Sequence, residues 1–458
     1  MKKFLTCAVS ALALASCSND SLVSDSPANT QAPIAFSVEK KNITRGVSLE
    51  STGRHNFGVW AYKYKDGLTT QKVMDNYLVG YSDGISVGYD NTSASTYASD
   101  KGLTSDHTSP WFYEGLGNAE YSSTKAGFYT TSESARANQY LRYWDLAYAT
   151  TNFYAYTPYK ATGVTFSESD KKITVENGIL SAGYSAPTNE FLYAGAVKNN
   201  ANMEDVELKF KHLGAQVKLR FYEDIDGYDV DIIDVTTSGS GIQATPATKT
   251  TTTDNTTTPA TTTTTYATSS YYTVCGAKVD YSSSVENPTA TATYGDDATS
   301  KSSDNLLFKV PSGTIPEAVT SGDQGYATSE TTYYAVPQPK TSTTGFTFHV
   351  SYTLKAKDNG ETITVHDARV FVPASVTVTD SSSDPATTTT TYIAAWQPNT
   401  LYTYTFKITT NTNGKTAEET INLKDPSVPS DAGLYPIVFD GATIEEYKSN
   451  TPSGDIDI

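Results

Sequence analysis

Two stretches of the chain carry side chains whose types and spacing could do chemistry. His212 could act as a metal ligand or a catalytic base, but no second His, no Cys and no paired carboxylate stands near it in the sequence. We therefore predict a turn histidine that hydrogen-bonds the backbone. The acidic run from Glu223 to Asp231 has the carboxylate spacing of a calcium loop but lacks its complete Asp-x-Asp-x-Asp-Gly order and closing Glu. We interpret it as a solvated strand end, with calcium as the alternative.

The rest of the sequence offers no catalytic set. The chain has five His and three Cys, and these residues show no metal-ligand spacing. Cys7 lies in an N-terminal leader and Cys275 stands alone, which excludes a disulfide framework. We therefore predict that the protein is not an enzyme and needs no metal or other cofactor.

The first residues form an export signal that ends in a cysteine. Lys2 and Lys3 precede an apolar run, Phe4 to Ala15, which is too short to span a bilayer and is typical of a secretory signal. Its end resembles a bacterial lipoprotein signal, which implies cleavage before Cys17, lipidation of Cys17 by acyl chains such as palmitate, and stable anchoring in the outer membrane. A plain signal peptide is the alternative. The polar segment Ser18 to Thr30 reads as a flexible tether.

The composition indicates an all-β protein. Tyrosine, with 33 residues, and threonine are abundant, and no long stretch has the i, i+3, i+4, i+7 spacing of an amphipathic helix. A length of 458 residues allows two or three domains with hydrophobic cores. The net charge of −17 argues against nucleic acid as a partner, because a phosphate backbone requires a basic surface.

The clearest strand pattern runs from Val206 to Tyr222. Apolar and charged residues alternate up to Phe210, the pattern breaks at His212 to Gly214, and it resumes from Ala215. The pattern predicts two strands of one antiparallel sandwich, each with one face in water.

Two further apolar strands are predicted near the chain ends. The first carries Ile34, Phe36 and Val38 on one face and precedes a polar loop. The second, Leu434 to Phe439, follows a strand that runs from Asn399 to Ile408. An apolar strand at a free terminus is a liability unless something covers it, so it either folds back on its own domain or is covered by another molecule.

Together these segments resemble the Bacteroidetes fimbrillins, the subunits of type V pili. The resemblance implies two transthyretin-like, Greek-key β-sandwich domains in tandem, and cleavage between Arg45 and Gly46 by an arginine-specific protease, with Arg54 as a second possible position. The segments that carry it are Phe210-Lys211-His212 with Ala215-Gln216-Val217, the strand of Ile34, Phe36 and Val38 followed by Thr44-Arg45-Gly46, and Trp396 followed by a Tyr-x-Tyr-x-Phe strand.

The resemblance also implies how subunits join. Cleavage would displace the strand of Ile34, Phe36 and Val38, and a donor strand from another subunit would fill the groove. The implied donor residues are Leu434, Ile437, Val438 and Phe439. Because the contact runs head to tail, it builds a filament. The implied partners are other copies or related pilins, and the implied location is the outer membrane for the precursor and then the cell surface as a fimbrium that contributes to adhesion. A stalk position and a tip position both stay open.

The chain divides into five predicted segments and carries two insertions. The segments are a signal peptide (1–16), a tether with the N-terminal strand removed on maturation (17–45), an N-terminal β-sandwich (46–204), a C-terminal β-sandwich (205–410) and a donor-strand tail (411–458). The tract Thr245 to Thr265 cannot bury a core, and we predict a disordered or glycan-decorated surface loop there. A second Thr/Ser-rich insertion spans Thr379 to Thr391. Both tracts lie between predicted strands, which suggests hairpins with long tips.

A second function fits part of the same sequence. Aromatic residues make up 12% of the chain, and those at Trp111-Phe112-Tyr113 and Tyr143-Trp144 could stack on sugars. More often such aromatics pack beneath their own loops. The alternative function is therefore a surface glycan-binding lipoprotein of the outer membrane.

Overall fold

The structure is a computed structural model, and it describes residues 32–38, 56–81, 86–87, 111–114, 116, 120–122, 127–129, 139–181, 190–233, 241–296, 298–318, 327–328, 333–340, 343–380, 387–409 and 437–446. These residues form thirty β-strands and one short 3-10 helix, Ala298–Ser300. The strands are β1 (Phe36–Val38), β2 (Asn56–Tyr64), β3 (Gln71–Tyr81), β4 (Ser86–Val87), β5 (Trp111–Phe112), β6 (Glu120–Ser122), β7 (Gly127–Tyr129), β8 (Thr150–Thr157), β9 (Thr165–Ser167), β10 (Lys172–Ser181), β11 (Leu192–Asn199), β12 (Val206–Leu208), β13 (Lys211–His212), β14 (Ala215–Asp224), β15 (Tyr228–Ile233), β16 (Ile242–Asp254), β17 (Thr261–Thr268), β18 (Tyr271–Tyr272), β19 (Val274–Asp280), β20 (Thr289–Thr293), β21 (Lys301–Ser302), β22 (Leu306–Phe308), β23 (Ala327–Thr328), β24 (Tyr333–Ala335), β25 (Thr344–Ala356), β26 (Thr362–Val372), β27 (Ser375–Asp380), β28 (Thr387–Tyr392), β29 (Thr400–Thr409) and β30 (Ile437–Glu446). The all-β prediction is confirmed.

The largest sheet contains the N-terminal strand. Its eight strands run in the order β12-β1-β5-β3-β2-β8-β11-β13. The neighbours β1 and β12 run parallel, whereas β2 runs antiparallel to both β3 and β8. One face of this sheet buries a core of aliphatic and aromatic side chains that includes Phe57, Phe153 and Phe210.

A smaller sheet covers the opposite face of β2, β8 and β11. Its strands run in the order β20-β19-β10-β9, so residues before and after position 205 share one sheet. Between the two sheets lies a second core that includes Trp60, Tyr154, Tyr156 and Tyr281. Gly195 faces Tyr281 and the Val285 carbonyl, and a Cβ built on it would lie only 2.0 Å from that oxygen. The division of the chain into domains at residue 205 stays a prediction.

A sandwich of two sheets forms the C-terminal part. One sheet has the order β23-β14-β29-β30, with β24 also paired to β14, and the other has the order β15-β25-β16-β17, with β22 and β26 attached to β16 and β25. Alternating residues of both sheets meet in one large core, where Phe348 contacts the rings of Tyr404 and Phe406. Trp396 stacks on Phe346 and donates a 2.8 Å hydrogen bond from its Nε1 to the hydroxyl of Tyr404.

The stretch from Val206 to Tyr222 joins two sheets, so the prediction of two strands in one sandwich is wrong. Strand β12 pairs with β1, whereas β14 pairs in parallel with β29 along ten residues. Strand β12 has the predicted alternation, whereas in β14 the predicted inward residues are buried but Gln216, predicted to face outward, is buried as well. Alternation reports which face of a strand is buried but does not identify the sheet that covers it.

The threonine tracts form hairpins, as predicted, but most of their described residues lie in paired strands and not in long loops. Strands β16 and β17 pair residue by residue from Ala247 to Asp254, and β27 pairs with β28 in the same way. Threonine is β-branched and favours extended backbone, so a run of threonines can form a ladder without burying a core. The octapeptide Pro-Ala-Thr-Thr-Thr-Thr-Thr-Tyr occurs twice, at 259–266 and 385–392, and each copy supplies the return strand of one hairpin.

The two hairpins leave the sheet side by side. Strands β16 and β26 flank opposite edges of β25 at the same end, and the ring of Tyr266 lies 5.0 Å from that of Phe371. In each hairpin six residues separate an Asp from its partner Thr across the ladder, Asp254 from Thr261 and Asp380 from Thr387. The protein therefore carries the same ribbon twice on one end of the C-terminal sandwich.

None of the helices within these ranges is long and apolar enough to cross a membrane.

Candidate functional site

The N-terminal strand β1 lies inside the protein. The side chains of Ile34, Phe36 and Val38 are 1%, 0% and 4% exposed, and Ala35 on the opposite face is also buried. These three alternating side chains point into the core of the eight-stranded sheet. The strand is an integral part of the sheet and its core.

Aromatic side chains surround the ring of Phe36. Its centroid lies 5.7 Å from that of Phe57, 5.8 Å from that of Tyr113 and 5.7 Å from that of Phe153, and all three contacts are edge to face. This geometry places positive ring edges against negative ring faces, and each such pair adds about 0.5–1.5 kcal/mol beyond burial. The cage therefore fits a phenyl ring better than an aliphatic side chain.

Both edges of β1 are hydrogen-bonded to neighbours. Phe36 lies opposite Val206 of β12 on one side and opposite Trp111 of β5 on the other. The Val206 amide donates to the Ala35 carbonyl at 2.7 Å, and the Ile34 amide donates to the Arg142 carbonyl at 2.7 Å. We call the space between β5 and β12 the β1 slot.

A buried tyrosine closes one end of the β1 slot. The Tyr113 hydroxyl donates to the Ile34 carbonyl at 2.9 Å and accepts a 3.0 Å hydrogen bond from the Arg142 amide. Burial raises the pKa of Tyr113 well above its ordinary value. The hydroxyl therefore keeps its proton, and it holds β1 as a donor at any pH that the fold tolerates.

The connection from β1 to β2 runs through residues 39–55. The predicted cleavage residues Arg45 and Gly46 and the alternative Arg54 fall in this segment, and all three lie outside the described residues. In the sheet β1 is separated from β2 by β5 and β3, so the two strands share no ladder. Removing β1 would therefore take no hydrogen bond from β2.

The C-terminal strand β30 lies at the edge of the C-terminal sandwich. It pairs antiparallel with β29, from Thr400 opposite Glu446 to Ile408 opposite Ile437. Ile437 is buried, whereas Val438 and Phe439 are partly exposed. The ring of Phe439 lies 6.2 Å from Tyr404 and 6.0 Å from Phe406, so this part of the tail folds back on its own chain.

A hydrogen bond also connects the tail strand to β14. Tyr222 donates a 2.7 Å hydrogen bond to Asp440 Oδ2, which fixes the tail beside β14. Leu434 of the predicted donor segment and Cys17 of the lipoprotein signal lie outside the described residues. Cys275 is buried in the second core, which lies between the eight-stranded and four-stranded sheets, and burial raises the pKa of its thiol to about 12.

The prediction of a backbone-bonded turn histidine at His212 is wrong. The imidazole is buried, and its Nδ1 lies 2.9 Å from Glu190 Oε1, a carboxylate that is buried as well. His212 belongs to β13, which pairs with β11. The carboxylate comes from a distant part of the chain, so the local sequence gave no sign of it.

The acidic run forms the turn between β14 and β15. Its carboxylates pair with lysines from neighbouring strands, including Lys407 with Asp224 at 2.5 Å and Lys357 with Asp229 at 3.8 Å. Glu223 is buried and accepts a 2.6 Å hydrogen bond from the Ile225 amide. Among the residues that the structure describes, no group of three or more His, Cys, Asp or Glu could hold a metal ion.

The aromatic residues proposed for sugar stacking belong mainly to the core. Trp111, Phe112, Tyr113 and Trp144 are all buried, and Trp111 packs at 5.2 Å from Phe57. Tyr143 is half exposed. Trp111, Tyr113 and Trp144 share the core that surrounds β1, whereas Phe112 packs with Leu78 and Leu116 in a separate cluster. The polar sequence around these rings did not indicate either role.

Comparison with protein families decides the membership of the chain. A model described as fimbrillin-like matches residues 82–422, about three quarters of the sequence. The chain belongs to the fimbrillin-like family. The matched range covers both walls of the β1 slot but neither β1 nor β30.

Solved structures similar to this fimbrillin-like chain include two fimbrial proteins. A fimbrial protein from Bacteroides vulgatus is 12% identical, with 91% of this chain and 99% of that chain covered and a TM-score of 0.42. The fimbrial anchor protein Mfa2 from Porphyromonas gingivalis is 8% identical, with 91% and 97% covered and a TM-score of 0.24. A search of curated proteins found no match.

Proposed function

We propose that this chain is a structural subunit of a cell-surface fimbrium, a type V pilus, and that it polymerises by donor-strand exchange after proteolytic removal of β1. The observation that carries the proposal is the position of β1. The strand is buried on its apolar face and paired on both edges, yet its only covalent connection to the rest of the described sheet runs through the segment that holds Arg45 and Arg54. One cut in that segment would free it.

Loss of β1 would create a strong acceptor. The strands β5 and β12 would face each other across a gap of one strand, about 10 Å wide, with unpaired backbone on both sides. Refilling the places of Ile34, Phe36 and Val38 is worth roughly 1.5–3 kcal/mol for each side chain, or about 5–9 kcal/mol before entropic costs. An incoming strand would complete the sheet by strand addition.

The tail strand β30 is a suitable donor. Among the described residues its ladder partner is β29 alone, whereas a strand in the β1 slot has neighbours on both edges. When residues such as Ile437 and Phe439 enter the β1 slot, the tail strand would therefore lose its ladder with β29 and form two ladders, one with β5 and one with β12 of the acceptor. Because donor and acceptor surfaces differ, each subunit binds the next in the same direction and the contact propagates as a filament.

The distribution of arginine supports a selective cut. The chain has six arginines, of which Arg136 lies outside the described residues, and Arg220 and Arg369 lie in the middle of paired strands. Arg142 is held by hydrogen bonds of 2.9 and 2.5 Å from its guanidinium to the Tyr77 hydroxyl. A protease binds extended, unpaired backbone, so an arginine-specific enzyme would be directed away from these three positions.

The proposed function includes an outer-membrane location for the precursor before maturation. Lipid on Cys17 would hold the precursor there, and cleavage after Arg45 would release the mature subunit from this anchor. Its partners would be other copies or related pilins, the processing protease, and surface glycans or proteins to which the fimbrium adheres. The donor-like tail favours a position in the stalk over one at the tip.

The proposal can be tested with protein that begins at Ser18. Treatment with an arginine-specific protease should give a ladder of oligomers on a gel run without boiling, and the new N-terminus should be Gly46. Deletion of residues 434–458 is the matched control and should leave monomers. A cut protein that stays monomeric with its tail intact would refute the proposal, and retardation of that monomer by polysaccharide would favour the glycan-binding alternative.

A further inference from the structure

The tail strand repeats the sequence of the N-terminal strand. Residues 33–36 read Pro-Ile-Ala-Phe and residues 436–439 read Pro-Ile-Val-Phe. Ile34 and Ile437 are both buried, and Phe36 and Phe439 both contact aromatic rings of a sandwich core. The two segments thus present the same side chains at the same spacing on one face.

From this match we infer that the acceptor of the tail is a second copy of this chain, entered in one register, with Ile437 in the place of Ile34 and Phe439 in the place of Phe36. The inference rests on the proposed function and adds the partner and the register to it. Other pilin subunits need not be present for the chain to polymerise.

The aromatic cage of the slot favours this register. In the precursor the cage of Phe57, Tyr113 and Phe153 surrounds a fully buried ring. In its present place Phe439 is only partly buried, with ring contacts at 6.0 and 6.2 Å. The ring therefore gains burial and closer edge-to-face contacts on transfer, whereas a shift by one residue would turn it to the opposite face.

The tail is an imperfect copy, which explains why the cut must come first. Val438 would replace Ala35, a fully buried alanine, and the two additional methyl groups must be accommodated there. Gly441 would replace Val38 and leave the third position of the slot unfilled. While β1 is in place it fits better than the tail, so exchange requires its removal.

The position of the tail favours another molecule over the chain's own slot. Ile437 pairs with Ile408, near one end of β29. The other end of β29 adjoins the eight-stranded sheet, where the Asn399 amide donates to the Gly214 carbonyl at 2.9 Å. Since β29 has ten residues, its two ends lie about 30 Å apart. The donor residues thus begin at the end of the C-terminal sandwich remote from the slot.

The register predicts one particular disulfide between subunits. Ser37 lies opposite Glu207 in the ladder of β1 and β12, so Asp440 of an incoming tail would lie opposite Glu207. Both positions are exposed, and neighbouring strands of a sheet lie about 4.8 Å apart, a separation that a disulfide can bridge with a small adjustment. The buried thiol of Cys275 does not compete.

The experiment uses protein from Ser18 to Ile458 with E207C and D440C together, cut by the arginine-specific protease and then oxidised. We expect a ladder that survives boiling without reductant. The matched control pairs E207C with A442C, two residues further along the same face, and should give only a ladder that boiling destroys. If boiling destroys the ladder of the E207C/D440C protein and the ladder of the E207C/A442C protein survives it, the register is overturned while the proposed function stands.

Two other outcomes bear on the partner. A monomer that contains an internal disulfide would show that the tail enters its own slot, and it would overturn the assignment of a second copy. Absence of oligomers from both double variants and from the unmodified chain would instead contradict the proposed function itself. The two failures are therefore distinguishable on the same gel.

Single substitutions test the quality of the fit. F439A should slow ladder formation by at least about tenfold, because it empties the aromatic cage. V438A should speed it, because alanine restores the side chain that the slot holds in the precursor. If V438A slows assembly as strongly as F439A does, Val438 does not occupy the place of Ala35 and the register is wrong.

Salt gives a readout independent of packing. The register brings Asp440 beside Glu207, and two like charges at lateral positions repel each other. Raising the ionic strength from about 0.05 to 0.5 M should therefore speed ladder formation, and the E207Q variant should show little of this effect. An equal salt response in E207Q would contradict the predicted pairing.

Discussion

Truncation of Phe36 should destabilise the precursor but leave the mature form unaffected. The Phe36 side chain is fully buried, and its ring makes three edge-to-face contacts at 5.7–5.8 Å. A buried Phe→Ala substitution costs about 3–5 kcal/mol, because burial is lost and a cavity remains. The Phe36→Ala precursor should therefore lose most of this amount from the free energy of the first unfolding transition.

Hydrogen exchange can locate the effect. The Val206 amide donates to the Ala35 carbonyl, so opening of β1 exposes this amide to solvent. In the Phe36→Ala precursor, exchange at Val206 should accelerate by roughly the factor that corresponds to 3–5 kcal/mol, about 10²–10³ or more. Leu68→Ala, at a side chain that is 47% exposed, is the matched control and should leave exchange unchanged.

The comparison after cleavage distinguishes two interpretations. Once residues up to Arg45 have been removed, the substituted and unmodified proteins have the same sequence, so their oligomers should be identical in size and stability. Unchanged exchange at Val206 in the Phe36→Ala precursor would show that β1 contributes little to the sheet, and the proposed acceptor would lose its physical basis.

Three further predictions concern the rest of the fold. Burial raises the pKa of Glu223, so the charged carboxylate is disfavoured in the folded state. Glu223→Gln should therefore raise the melting temperature at pH 7. This gain in melting temperature should shrink as the pH falls through the raised pKa towards the ordinary value of 4.5. Tyr404→Phe removes the acceptor of the Trp396 Nε1 hydrogen bond and should cost about 1–3 kcal/mol in urea unfolding. Gly195→Ala should lower the melting temperature in thermal unfolding, because the new Cβ would lie 2.0 Å from the Val285 carbonyl oxygen.

Matched variants make these three results interpretable. Glu204→Gln, at an exposed carboxylate, should show no pH-dependent gain, and Tyr140→Phe, at a half-exposed ring, should leave urea unfolding unchanged. Gly67→Ala adds a Cβ that meets no atom within 4 Å, although its positive φ of 74° makes some strain inevitable. A Glu223→Gln gain that grows on acidification would contradict the assigned cause.

Strand character and burial could be predicted from the sequence where alternation was regular. Ile34, Phe36 and Val38 are buried on one face as their spacing predicted, and so are the alternating residues of β14 and β29. Their neighbours in the sheets could not be predicted, because a two-residue period carries no information about the strand alongside. The parallel pairing of β1 with β12 joins residues 170 positions apart, and nothing local specifies it.

Only part of the candidate site could be predicted from the sequence. The strand β1 was recognisable, but the residues around it include Trp111 and Tyr113, which lie in a Gly- and Ser-rich stretch without regular alternation. The buried pair of His212 and Glu190 was missed because the carboxylate is 22 residues away, in the segment that precedes β11. The threonine tracts were misassigned because low apolar content was taken to indicate loops, whereas the β preference of threonine was the stronger signal.

The duplicated threonine hairpins have a consequence for durability. From Thr250 to Thr265 and again from Ser375 to Tyr392, the ribbons contain no lysine, arginine, methionine or cysteine. Enzymes of trypsin-like specificity find no bond to hydrolyse there, and oxidants find no sulfur to attack. Both ribbons are thus chemically inert towards trypsin-like enzymes and towards the oxidation of sulfur.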